Sequence, residues 1–139
     1  MVMAAALGMA GEASACRVET ASTVIYDRWI QDADQIILGR VVIIGRRQEP
    51  MYDGGTWSRP VIEVDRTRVL RGGSTDRIVV RGEDLVPQCE PTITSEIRDL
   101  QIGDSVVVML DDEQTAFGLM KATTYDARRY VDRLTRPAE

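Results

Sequence analysis

At 139 residues and 15.5 kDa, the chain has room for one compact domain. Its 44% hydrophobic and 28% charged content suits a packed fold, and a formal charge of −5 argues against nucleic acid as a partner, because phosphate binding needs a basic surface. The absence of histidine excludes imidazole-based nucleophilic triads and most catalytic zinc sites, so the residues do not read as an enzyme and imply no cofactor.

Residues 1–15 are apolar and rich in small side chains, and Ala13-Ser14-Ala15 fits the small-x-small pattern that signal peptidase accepts. This predicts cleavage before Cys16 and a single exported domain over 16–139, secreted or held in the periplasm or cell envelope. The apolar run from Val2 to Gly11 is too short to anchor in a bilayer, so no integral membrane segment is expected in the mature chain. Export favours pairing of the two cysteines, Cys16 and Cys89. Closing that long loop stabilises a fold by roughly 4 kcal/mol on the chain-entropy account. Two other fates stay open: a buried thiol with a separate terminal thiol, or lipidation of Cys16 as the first residue of a bacterial lipoprotein.

The segment Thr23 to Ala33 places Val24, Ile25, Trp29 and Ile30 at helical spacing and predicts a short packed helix or extended arm. Ile36 to Gly45 is a β-branched run that predicts a long first strand, with a bulge or bend at Gly39. Gln48 to Pro60 is expected to be a loop turning at Asp53-Gly54-Gly55. Val61 to Leu70 predicts the second strand, with a parity shift between Val64 and Val69 that again implies a bulge, and Arg77 to Arg81 predicts the third. One helical turn is expected around Ser95–Leu100. Asp104 to Leu110 predicts a fourth strand whose consecutive apolar positions imply burial on both faces, and Ala116 to Ala122 a fifth. Tyr125 to Arg136 reads as a helix with Ala127, Tyr130, Val131 and Leu134 on one face, Thr123 and Asp126 positioned to cap it, and Pro137 ending it.

Five strands, with the longest insertion between the third and fourth, predict a mainly β fold. The expected architecture is a five-stranded Greek-key OB-fold barrel with flanking helices, including a C-terminal one. Ile37, Val41, Ile43, Val64, Val79, Val107, Met109 and Leu119 are its expected core.

Several positions carry a resemblance to a known family. They are Cys16 leading through a helical arm to Ala33-Asp34-Gln35-Ile36, then Val69-Leu70-Arg71-Gly72, then Cys89 after the third strand, then Gly103-Asp104-Ser105-Val106-Val107-Val108. This pattern resembles the netrin-like module, whose best-known members are the N-terminal domains of tissue inhibitors of metalloproteinases. The resemblance implies a disulfide from Cys16 to Cys89 that tethers the mature terminus. It also implies that the Cys16 amine and carbonyl chelate the zinc of a metalloprotease while Arg17 enters its specificity pocket. Arg17 is long and charged where the family places a small residue, and the family's Cys-x-Cys start is missing. The first expectation is therefore an interaction module that binds a protein partner through the edge formed by Cys16, Arg17 and Val18. Metalloprotease inhibition is the alternative.

Tyr52 and Trp57, in the expected loop, are the candidate aromatic anchors of the same contact. The carboxylate pairs Asp111/Asp112 and Glu83/Asp84 are of a type that binds calcium, but adjacent carboxylates in turns are mostly solvated, so no metal is assigned. Arg66, Arg68, Arg71, Arg77 and Arg81 alternate with Glu63, Asp65 and Asp76, which predicts cross-strand ion pairs rather than an anion site.

Overall fold

The computed structural model describes residues 22–73, 76–83 and 90–137. In chain order these form α1 (Ser22–Asp32), β1 (Gln35–Pro50), β2 (Thr56–Arg71), β3 (Arg77–Arg81), α2 (Ile93–Arg98), β4 (Ser105–Leu110), β5 (Ala116–Lys121) and α3 (Tyr125–Thr135). The fold is mainly β, an antiparallel five-stranded sheet in the order β3-β2-β1-β4-β5 with three helices among the described residues. No helix there is long and apolar enough to cross a membrane.

The apolar run in β4 explains the layering. Val106, Val108 and Leu110 face a core that contains Ile37, Val41, Ile62, Val64, Ile78 and Val80 and is covered by Ile93 and Ile97 of α2. Val107 and Met109 face the opposite side, against Ile30 and Ala33 of α1 and Ala127 and Tyr130 of α3. A strand buried on both faces has no polar positions to alternate with.

The sheet is open in its hydrogen bonding, with no ladder between β3 and β5 among the described residues. β3 is only five residues long and is matched to Val61–Asp65 alone. The sheet curls nevertheless: α2 touches β2, β3 and β5, and Cα atoms of the two edge strands come within 8 Å.

Two expected core residues lie outside the core. Ile43 is 45% exposed and Val79 is 42% exposed, whereas Ile37, Val41, Val64, Val107, Met109 and Leu119 are buried. The β1–β2 register slips between Val41, opposite Val64, and Ile43, opposite Glu63. Val42 is the extra residue, and it turns Ile43 outward. Val79 stands opposite Glu63 from the other side, while its neighbours Ile78 and Val80 point inward. The parity shift expected between Val64 and Val69 of β2 is present as the slip at Leu38/Gly39, where Thr67 is the extra residue, and a further slip at Ile36/Ile37 falls at Leu70.

Gly39 sits at one of those slips because no side chain fits there. A Cβ would lie 2.4 Å from Val64 Cγ1 and 2.7 Å from the Asp65 carbonyl oxygen. Gly39→Ala is expected to cost about 1–3 kcal/mol, read as a lowered denaturation midpoint. An unchanged midpoint would contradict this packing.

The helices are closed by side chains. Thr92 caps α2 through a capping box with Ser95. Thr124, rather than the expected Thr123, caps α3 by accepting from the Ala127 N–H at 3.3 Å. Arg71 donates to the carbonyls of Ile30 (2.7 Å) and Ala33 (3.1 Å), satisfying the C-terminal end of α1.

Candidate functional site

The expected loop from Gln48 to Pro60 is mostly strand. β1 and β2 stay paired as far as Pro50 opposite Thr56, leaving only residues 51–55 for the turn. The turn is held by Met51 N–H donating to the Gly55 carbonyl (2.7 Å) and Gly55 N–H donating to Asp53 Oδ1 (3.0 Å), with Gly54 at φ +88°. β4 pairs only with Gln35–Arg40 and β3 only with Val61–Asp65, so the far half of the hairpin extends past both neighbours as a two-stranded arm.

Cross-strand contacts stiffen this arm. Arg46 donates to Ser58 Oγ (2.6 Å) and to the Ser58 carbonyl (2.8 Å) on one face. On the other, Arg59 pairs with Glu49 at 3.0 Å and lies over the Trp57 ring at 5.0 Å. Tyr52 at the tip is fully exposed, while Trp57 is half-buried beneath Arg59. The two aromatic candidates therefore occupy one arm in different settings.

Strand periodicity puts Trp57, Arg59, Val61 and Glu63 of β2 on one face with Ile43, Gly45 and Arg47 of β1 and Val79 and Arg81 of β3. Arg47, Ile43, Val79 and Arg81 are all exposed there. This face escaped sequence reading because its apolar members were assigned to the core. The one available signal was the pair Arg77 and Arg81, which share their parity in β3 with Val79.

The other predicted candidates have structural tasks. The Glu83 carboxylate accepts from the N–H groups of Ile93 (2.7 Å) and Thr94 (2.9 Å), closing the start of α2. Asp111 accepts from the N–H groups of Glu113 and Thr115, each at 2.9 Å, to shape the β4–β5 turn. The expected cross-strand pairs form between Arg66 and Asp76 (3.0 Å) and between Arg77 and Asp65 (2.9 Å). Cys16, Arg17, Val18, Asp84 and Cys89 lie outside the described residues.

One half-buried contact links the helices on opposite faces of the sheet. The Tyr26 hydroxyl on α1 donates to Glu96 Oε1 on α2 at 2.6 Å. Burial raises the pKa of Glu96, with a smaller raising effect from Asp99 and an opposing one from the Tyr26 hydrogen bond. Burial and the adjoining Glu96 also raise Tyr26. A carboxyl raised in the folded state stabilises most when protonated, so its contribution is present below the unfolded value and is lost as pH rises through the folded one. Glu96→Gln keeps an acceptor for Tyr26 and removes the charge. Its melting temperature relative to wild type is expected to be higher at pH 7 than at pH 4, and a difference independent of pH would contradict a half-buried, ionising Glu96.

No protein-family model matches this sequence, and a search of curated proteins finds no match.

Proposed function

We propose that this chain is an exported, netrin-like interaction module on an OB-type Greek-key barrel, and that it binds a protein partner through the β1–β2 arm and the Cys16–Val18 edge. The observation that carries the reading is the arm itself. It extends past its sheet neighbours, is stapled on both faces, and presents Tyr52 fully exposed at its tip, with Trp57 half-buried further along. A stiff arm loses little entropy on binding, and aromatic side chains supply the anchoring area that interfaces favour. Support for the Greek key comes from β4, which returns by the long β3–β4 connection to lie beside β1, giving the spatial order β4-β1-β2-β3.

Pull-down from culture medium tests the reading with the wild-type chain, Tyr52→Ala, Trp57→Ala and Arg17→Ala. Loss of a specifically recovered protein with the arm variants is expected, and equal recovery by all four overturns it. Mass spectrometry of the same mature material reports whether Ala15–Cys16 is cleaved and whether Cys16 and Cys89 are joined.

A further inference from the structure

The outer face of β1, β2 and β3 combines an apolar hollow with arginines. Ile43 and Val79, 45% and 42% exposed, flank Glu63 from either side, and Val61 stands between Gly45 and Arg81 one pair further along. A Cβ on Gly45 would meet no atom within 4 Å, and the glycine floors a hollow of about 230 Å³ bounded by Ile43, Val61, Glu63 and Val79. Arg47 and Arg81 border this face, and neither makes an ion pair among the described residues. Arg59 stands opposite Arg47 and continues the stripe to Trp57. From Trp57 to Glu63 the stripe runs roughly 20 Å along β2, the length of an extended segment of about six residues.

We infer that this face docks an extended acidic segment of a partner protein in which carboxylates alternate with apolar side chains. The inference rests on the interaction reading above and names the chemistry of its partner. The charge of the face decides the sign: Arg59 and Arg77 are matched there by Glu49 and Asp65, which leaves Arg47 and Arg81, without an ion pair among the described residues, against Glu63 alone. A second copy fits badly, because a two-fold contact through this face would set arginines against arginines. A flat anionic surface fits badly too, since Glu63 sits between Ile43 and Val79 and the hollow suits an inserted side chain. Glu63 also sets the register of the segment, whose carboxylates must stand over Arg47 and Arg81 with an apolar residue over the hollow.

A short fluorescent peptide alternating Glu and Val, titrated into the full chain by anisotropy, is the probe. Binding that weakens with salt is expected, with Arg47→Glu and Arg81→Glu each weakening it about tenfold at unchanged melting temperature. Glu63→Gln is expected to tighten it, a sign that general loss of structure cannot produce. A Lys–Val peptide bound as tightly, indifference to the arginine reversals, or retention of phosphatidylserine vesicles without peptide binding overturns the inference. Pull-down failure of Tyr52→Ala and Trp57→Ala with intact peptide binding would count against the arm alone. The converse result would count against the peptide chemistry alone.

Discussion

Val107→Asp is expected to leave the chain unfolded at neutral pH. Val107 is fully buried, with Val106 and Val108 turned into one core and its own side chain into the other. An aspartate there would sit among Ile36, Met109, Met120 and Tyr130. Burying an unpaired carboxylate costs several kcal/mol even when it escapes by taking up a proton, and the lost valine contacts add to that cost. A domain of this size holds about 5–15 kcal/mol in total, so this one change removes most or all of it. Val107→Ala, which only vacates space, is expected to cost roughly 2 kcal/mol and to stay folded. Circular dichroism with thermal melts separates the two. A Val107→Asp protein melting at the wild-type temperature would mean that β4 is not the doubly covered strand.

The same strand shows why much of the fold was legible in the sequence. Five consecutive apolar residues from Val106 to Leu110 leave no solvated face, so their run announces burial on both sides before any partner is known. Arg77–Arg81 was equally legible as a strand, but not in its facing. Ile78, Val79 and Val80 are all β-branched, and only the pairing with β2 decides that Val79 points out. Ile43 misled for a related reason: one extra residue at Val42 inverts every later position of β1, and this bulge, unlike the slip at Gly39, has no glycine to mark it. The arm was hidden by its chemistry. Pro50, Asp53, Gly54 and Gly55 are turn-forming residues, yet pairing continues to Pro50 because Arg46, Ser58, Glu49 and Arg59 bind across the strands. Such pairs become visible only once the register is known. Both misreadings fall on one face, since the bulge turns Ile43, Gly45 and Arg47 outward and the β3 parity turns Val79 and Arg81 outward beside them.

Tyr130 should report how firmly α1 is held. Its ring is 1% exposed beneath α1, and its hydroxyl reaches the rim, donating to Asp27 and accepting from Arg129 at 3.2 Å. The guanidinium groups of Arg129 and Arg133 lie 5.0 and 5.2 Å from the ring centroid. Tyr130→Ala is expected to cost about 3–5 kcal/mol by opening a cavity between α1, α3 and the sheet. Tyr130→Phe fills that cavity and gives up only the hydroxyl bonds, for about 1 kcal/mol. The alkaline range distinguishes the hydroxyl from the ring. Burial, and then the bond to Asp27, push the Tyr130 pKa up to about 12 from its ordinary value of 10.0. The folded chain therefore favours the protonated phenol: the stabilisation is intact below about pH 10 and is lost as pH rises toward 12. The wild-type advantage over Tyr130→Phe is expected to be constant from about pH 7 to 9 and to shrink above about pH 10. An advantage that stays level through that range would remove the hydroxyl from the clamp. Amide hydrogen exchange reads the same clamp along the whole of α1, from Ser22 to Asp32. Faster exchange across α1 in Tyr130→Ala, with β4 unchanged, is expected, and equal exchange across α1 in both proteins would mean that Tyr130 does not hold the helix.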